Sequence, residues 1–170
     1  MALLGALKTL NGLKREGVIR DYAICGGYAA SYYLEPAYTY DLDILVLLDS
    51  DTDYHALYEY FKQMGSRIEN VYIVVEDVPV QFLPSYIGPL FSEAIKKARR
   101  ITVKGTRTKV ITVEHLIALF LVSFRPKDKI RILELLEQAD KRLLDEMLRR
   151  FEDEKTPLRQ RFKKVLANLQ

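Results

Sequence analysis

The chain has 170 residues, 49% apolar and 29% charged, the profile of an ordinary globular protein of one domain or one domain with a small appendage. A net charge of +3 is too small to argue nucleic-acid binding by itself, and no apolar run approaches the ~18 residues of a membrane span. Cys25 is the single cysteine, which excludes a disulfide framework and a thiolate metal site, and the expected compartment is the cytoplasm.

Leu4, Leu7, Leu10 and Leu13 recur every three residues, so residues 2–15 are predicted as an amphipathic helix ending near Gly17, not as a targeting segment. "YAIC" is short and apolar and meets Gly26-Gly27, as a buried strand meets a tight turn. "YAASYYL" then predicts a short helix closed by Pro36. "YDLDILVLL" carries the strongest strand pattern in the chain, followed by a helix capped by Ser50 or Asp51 and stopped by Gly65. "VYIVV" and "VPVQFL" flank "ED" as a hairpin, with Pro79 facing away from the ladder or at an edge.

"GPLFSEAIKKARR" is predicted as a helix, and "ITV" and "TKVITV" as a second hairpin around "KGTR", with Gly105 in the turn. From there the pattern is helical throughout. Thr112 caps the first of these helices, Pro126 opens the second, Asp140 caps the third, and Thr156 with Pro157 at the first helical position opens the fourth. The expected fold class is α/β (α+β), a mixed sheet flanked by helices. It divides into a sheet-and-helix core over 1–111 and a helical part over 112–170, separately folded or packed on the core as a single domain.

Asp41 and Asp43 are the residues that carry chemistry. Strand side chains alternate, so the two carboxyls share a face within ~7 Å while Leu42 and Ile44 take the other. Unpaired carboxylates that close beside an apolar sheet repel each other and lose hydration. A hard divalent cation removes both penalties, which makes the pair a candidate Mg²⁺ site, or a two-metal site for phosphoryl displacement. Gly26-Gly27, at a strand end and a helix start, lets backbone amides approach a phosphate.

"ICGGYAASYYLEPAYTYDLDI" resembles the signature of the DNA polymerase β-like nucleotidyltransferase superfamily: Gly, then Gly or Ser, a spacer, then Asp-apolar-Asp-apolar. More loosely, residues 20–140 look like small prokaryotic members related to abortive-infection-type toxins of toxin–antitoxin pairs. The resemblance implies a nucleotidyltransferase-like mixed sheet and transfer of a nucleoside monophosphate from an NTP to a hydroxyl of RNA, protein or a small molecule. It makes Asp41 and Asp43 metal ligands and catalytic residues, and Gly26 and Gly27 triphosphate contacts. Ser31, Thr39 and Lys127 join these as nucleotide-binding candidates. Gln81 stands where many members carry a third carboxylate, residues 34–42 hold no basic residue, and the glycine pair lacks the family's serine. Gln81 is neutral and cannot serve as a general base, so the alternative is a catalytically inactive module that binds nucleotide, RNA or a partner protein.

Lys96 to Lys109 hold seven bases and no acid, either a solvated helix end and hairpin or a patch for phosphates. "RPKDK" puts Arg125, Lys127 and Lys129 at a helix start, where they are solvated or face a triphosphate. Asp49, Asp51 and Asp53 fit helix capping. His55 and His115 have no metal-ligand spacing, and His115 is expected in a first helical turn. Cys25 is expected to be a small buried hydrophobe. Tyr28, Tyr32, Tyr33, Tyr38 and Tyr40 surround the proposed site as packing groups or as stacking surfaces for a base.

Overall fold

The computed structural model describes residues 2–169. Helix α1 (Ala2–Arg15) buries Leu7, Leu10 and Leu13, as the leucine spacing predicts. It ends at Gly17, whose φ of +78° is the left-handed conformation that closes helices. Strand β1 (Asp21–Cys25) runs into α2 (Gly26–Tyr33), then β2 (Leu42–Leu47) and α3 (Asp51–Gln63). The α3 cap is Ser50, whose side chain accepts from the Asp53 amide. Strands β3 (Ile68–Glu69), β4 (Tyr72–Val75) and β5 (Val78–Pro84) follow, then α4 (Pro89–Lys96), β6 (Arg99–Val103) and β7 (Thr106–Val110). Helices α5 (Val113–Ser123), α6 (Pro126–Leu135), α7 (Lys141–Phe151) and α8 (Leu158–Ala167) complete the order.

Seven strands form one mixed sheet in the order β3-β4-β5-β2-β1-β7-β6. The β2–β5 and β1–β7 pairs are parallel and the rest antiparallel. Leu42, Ile44 and Val46 are fully buried, as are Val80 and Phe82 to within 1%. Leu45, on the opposite face of β2, is also fully buried, so that strand is covered on both faces, whereas β5 buries alternate residues. The buried cluster runs from Leu7 and Leu10 through Ile44 and Leu45 to Leu116, Leu121, Leu144 and Leu158, so one apolar core spans the sheet and the C-terminal helices.

The two predicted hairpins each turn on two residues with positive φ, Glu76-Asp77 (48° and 66°) and Lys104-Gly105 (45° and 82°). Such turns match the right-handed strand twist. In the first, Val75 and Val78 close the turn and Pro79 falls opposite Val74 at the next pair, whose N–H groups point away from each other. The missing amide of Pro79 therefore costs the β4–β5 ladder nothing.

Several boundaries differ from the sequence reading. The helix predicted over 88–100 stops at Lys96, because Arg99 and Arg100 pair with Val110 and Lys109 as the edge strand β6. The strand predicted through Val113 ends at Val110; Ile111 still donates its amide to Ile24 O at 3.1 Å, and Thr112 caps α5 by accepting from the His115 amide. The helix predicted from Tyr28 starts at Gly26, and the strand predicted from Tyr40 starts at Leu42. The short strand β3 was not predicted. Pro157 is the N-cap of α8 rather than its first residue, and Thr156 instead closes a turn with Asp153, whose side chain accepts from the Thr156 amide.

Candidate functional site

The β1–α2 turn and the start of β2 meet at one sheet end. Gly26 has φ +62°, and a Cβ there would lie 2.0 Å from Asp43 Oδ2, so the Asp43 carboxyl occupies the space that a side chain would fill. At Gly27 a Cβ would lie 2.6 Å from Thr39 Cγ2. The missing side chains thus seat Asp43 on one glycine and the 34–41 loop on the other. Asp41 sits one residue ahead of β2, outside the ladder.

Register extends the site across the sheet. Asp43 pairs with Cys25 on β1 and Gln81 on β5, and Gln81 pairs with Tyr72 on β4. Directly opposed residues share a face, so these four side chains form one row. A cleft of about 610 Å³ opens over the row. Asp41, Asp43, Gly26, Gly27, Thr39 and Gln81 all line it. Its far wall carries Arg125, Lys127 and Arg131, from the α5–α6 junction and α6.

Burial and the neighbouring Asp41 raise the Asp43 carboxyl to about 7, against the opposing pull of Arg125, Lys127 and Arg131. Among the described residues, no Lys or Arg comes within ion-pair distance of either carboxylate, so the cations face the pair without quenching it. Burial, then the Asp41 and Asp43 charges, keep the Tyr72 phenol protonated above its usual range. Burial and Asp43 push the Cys25 thiol up, which leaves it an inert hydrophobe.

Arg125 is held from behind. Fully buried Asp128 accepts from Arg125 Nε at 2.9 Å, from Nη2 at 3.3 Å and from the Arg125 amide at 3.0 Å, and Ser123 Oγ donates to it at 2.7 Å. This fixed pair places the guanidinium at the cleft with its direction set.

Other candidates lie elsewhere. Ser31 faces a neighbouring cavity, and its hydroxyl donates to Ala37 O at 3.4 Å, pinning the 34–41 loop rather than lining the cleft. Lys129 rests over the Phe124 ring at 4.3 Å and does not line the cleft. The basic stretch from Lys96 to Lys109 also misses it: Arg99 and Arg100 lie on the far edge strand, and Lys109 binds Asp21 at 2.6 Å. Its reading as a source of charge stabilisers for this site is corrected. His115 is a buried structural group, with Nδ1 2.6 Å from Thr112 Oγ1 and Nε2 2.9 Å from Glu93 Oε2, and Arg150 of α7 donates to the same glutamate.

Sequence reasoning missed Arg131. It lies four residues after Lys127 and therefore on the same face of α6, a spacing that a search for paired cations would have found.

No family model matches the chain, and no curated protein matches it. Solved structures do, and the fold they share with it is that of the nucleotidyltransferases. An antigenic nucleotidyltransferase-like protein from Paracoccidioides brasiliensis superposes with a TM-score of 0.61 at 17% identity, over 96% of this chain and 84% of that one. ANT(2″)-Ia in complex with adenylyl-2″-tobramycin gives 0.57 at 11% identity, over 85% and 94%. The solution structure of the antibiotic-resistance factor ANT(2″)-Ia gives 0.58 at 13% identity, over 99% and 96%.

Proposed function

We propose that the protein is a Mg²⁺-dependent nucleotidyltransferase that moves a nucleoside monophosphate from an NTP to a hydroxyl acceptor. One observation carries this reading: Asp41 and Asp43 share a cleft with the bare Gly26-Gly27 corner and three cations, and neither carboxylate is neutralised by a neighbour. Asp41 and Asp43 would hold the ion, whose chemistry is to offset charge on the triphosphate and on the carboxylates themselves. Their donor set fits, because crowding and burial already disfavour the ionised Asp43 in the ion's absence.

The chain's own groups do the positioning. Gly27 and the first turn of α2 offer backbone amides to phosphate oxygens. Arg125, Lys127 and Arg131 hold the leaving pyrophosphate, Arg125 with its direction fixed by Asp128. The acceptor oxygen bonds the α-phosphorus, the α–β anhydride bond breaks, pyrophosphate leaves with the electron pair, and the hydroxyl proton passes to water. The fold likeness to ANT(2″)-Ia supports transferase chemistry but does not carry over its acceptor.

The test is incubation with α-labelled NTPs, Mg²⁺ and a panel of RNA, proteins and small hydroxyl compounds. Label should reach an acceptor and be lost in Asp41→Asn and Asp43→Asn. Labelling retained in the double variant refutes the assignment. Gln81 beside Asp43, where a third carboxylate is expected, favours a second reading, a module that binds nucleotide without chemistry. NTP binding by calorimetry with no product over long incubation would select that reading.

A further inference from the structure

We infer that the β5 side of the cleft is an acceptor pocket for an uncharged hydroxyl compound with an apolar body, an inference that rests on the nucleotidyltransferase reading above. The cleft has two chemically different ends. Its cations come from the α5–α6 junction and α6, which packs on α2 beside Gly27. The other end is aliphatic and aromatic: Leu83, Ile87, Phe91, Leu119 and Val122. Leu83 is two residues beyond Gln81 on the same face of β5, Phe91 projects from α4, and Leu119 and Val122 are one turn apart on α5. Ile87 is 53% exposed and the other four are half-buried, so this wall is open apolar surface continuous with the carboxylate pair.

In-line displacement assigns the two ends. The attacking and leaving oxygens lie on opposite sides of the phosphorus. Pyrophosphate leaves toward the glycines and cations, so the acceptor hydroxyl enters from the β5 side, past Gln81. That wall suits an apolar body better than a nucleobase, because its five side chains offer no partner for a base edge and an unpaired polar edge is costly. The base has another surface at the rim, where Tyr38 and Tyr40 are 90% and 65% exposed.

Charge narrows the class further. Among the described residues, the cleft's only acids are Asp41 and Asp43, facing three bases, so no acid among them at the β5 end compensates a cationic acceptor. A second cavity of about 430 Å³ does gather Glu35, Glu134 and Glu137, but it lies beyond Gly27 and Arg131, on the leaving-group side. A polyamine held there would approach the phosphorus from the wrong direction.

The experiment is calorimetry on the full chain with Mg²⁺ and a non-hydrolysable NTP analogue, titrating octyl glucoside below its micelle concentration, phenyl β-glucoside, or tobramycin as the polycation. The expected result is that at least one neutral glycoside binds more tightly than tobramycin. Ile87→Lys should weaken the glycoside about tenfold or more, with the loss falling on the glycoside's Kd rather than the nucleotide's; Val122→Lys gives an independent second reading of the same wall. Equal glycoside affinity in wild type and both variants, no glycoside binding, or tighter tobramycin binding overturns the inference and leaves the transferase reading standing. A parallel loss of NTP affinity in both variants assigns the wall to the base, with the same consequence. Absence of NTP binding to the wild type removes both.

Discussion

Replacing Asp43 by Asn tests the electrostatic core of the site without any substrate. Asp43 is held at about 7 in the fold against an ordinary 3.8, so the folded state keeps a proton that the unfolded chain has lost. Stability therefore falls as pH rises from about 4 to about 7, and the penalty is constant above that. Three units at ~1.4 kcal/mol each amount to ~4 kcal/mol. Solvent in the open cleft screens this to roughly 2 kcal/mol, or ~4–8 °C in Tm for a chain of this size. Asn has the shape of the protonated acid and no charge to lose. Thermal denaturation followed by circular dichroism should find Asp43→Asn level with wild type near pH 4 and several degrees more stable at pH 8. Millimolar Mg²⁺ at pH 8 should raise the wild-type Tm and leave the variant unmoved. A difference independent of pH, or a variant less stable at pH 8, would refute the claim that Asp43 is crowded and uncompensated.

Three further outcomes are expected. Gly26→Ala puts a Cβ 2.0 Å from Asp43 Oδ2 at a positive φ, so it should destabilise by ~2 kcal/mol or more and abolish the Mg²⁺-induced rise in Tm; an unchanged melt and metal response would contradict the packing described. Asp128→Ala leaves the Arg125 guanidinium without its fixed partner; because that guanidinium is more than half exposed, the loss is of charge-assisted hydrogen bonds, about 1–3 kcal/mol in chemical denaturation, with weaker NTP binding by calorimetry, whereas no measurable loss would show that the pair is dispensable. Burial lowers the His115 pKa, so the folded state resists protonation and stability drops as pH falls below about 6.5. His115→Gln should flatten that part of the pH–stability curve, and an unaltered slope would assign it to other groups.

Much of the site was legible because its parts are local. The Gly26-Gly27 turn and the two aspartates lie within one β-turn-α-β segment, where spacing sets the direction of Asp43 while Asp41 falls just ahead of the strand. The α1, α3 and α5 helices were legible for the same reason, through leucine periodicity and the Ser50 and Thr112 caps. What depends on distant pairing was not. Arg99 and Arg100 continue a helical pattern in sequence, but the β7 edge recruits them as strand. The basic run from Lys96 to Lys109 is dense on paper and ends on the opposite margin of the sheet from Gln81. Conversely, Arg131 and the apolar wall from Leu83 to Val122 come from five separate elements, counting the short Ser85–Ile87 turn that carries Ile87, and only tertiary packing sets them around one space. The place of Ser31 was not legible, because its hydroxyl is taken up by the Ala37 carbonyl only once the 34–41 loop has folded back.

The two parallel strand pairs bear on how the protein is made. Asp43 meets Gln81, and Ile24 meets Val110, only after long stretches of intervening chain have been drawn in, and pairings so remote in sequence form slowly. The cations at Arg125, Lys127 and Arg131 leave the ribosome later still. A nascent chain therefore carries the acidic side of the cleft well before the wall that faces it, so the cleft is complete only in the finished molecule and not in any growing intermediate.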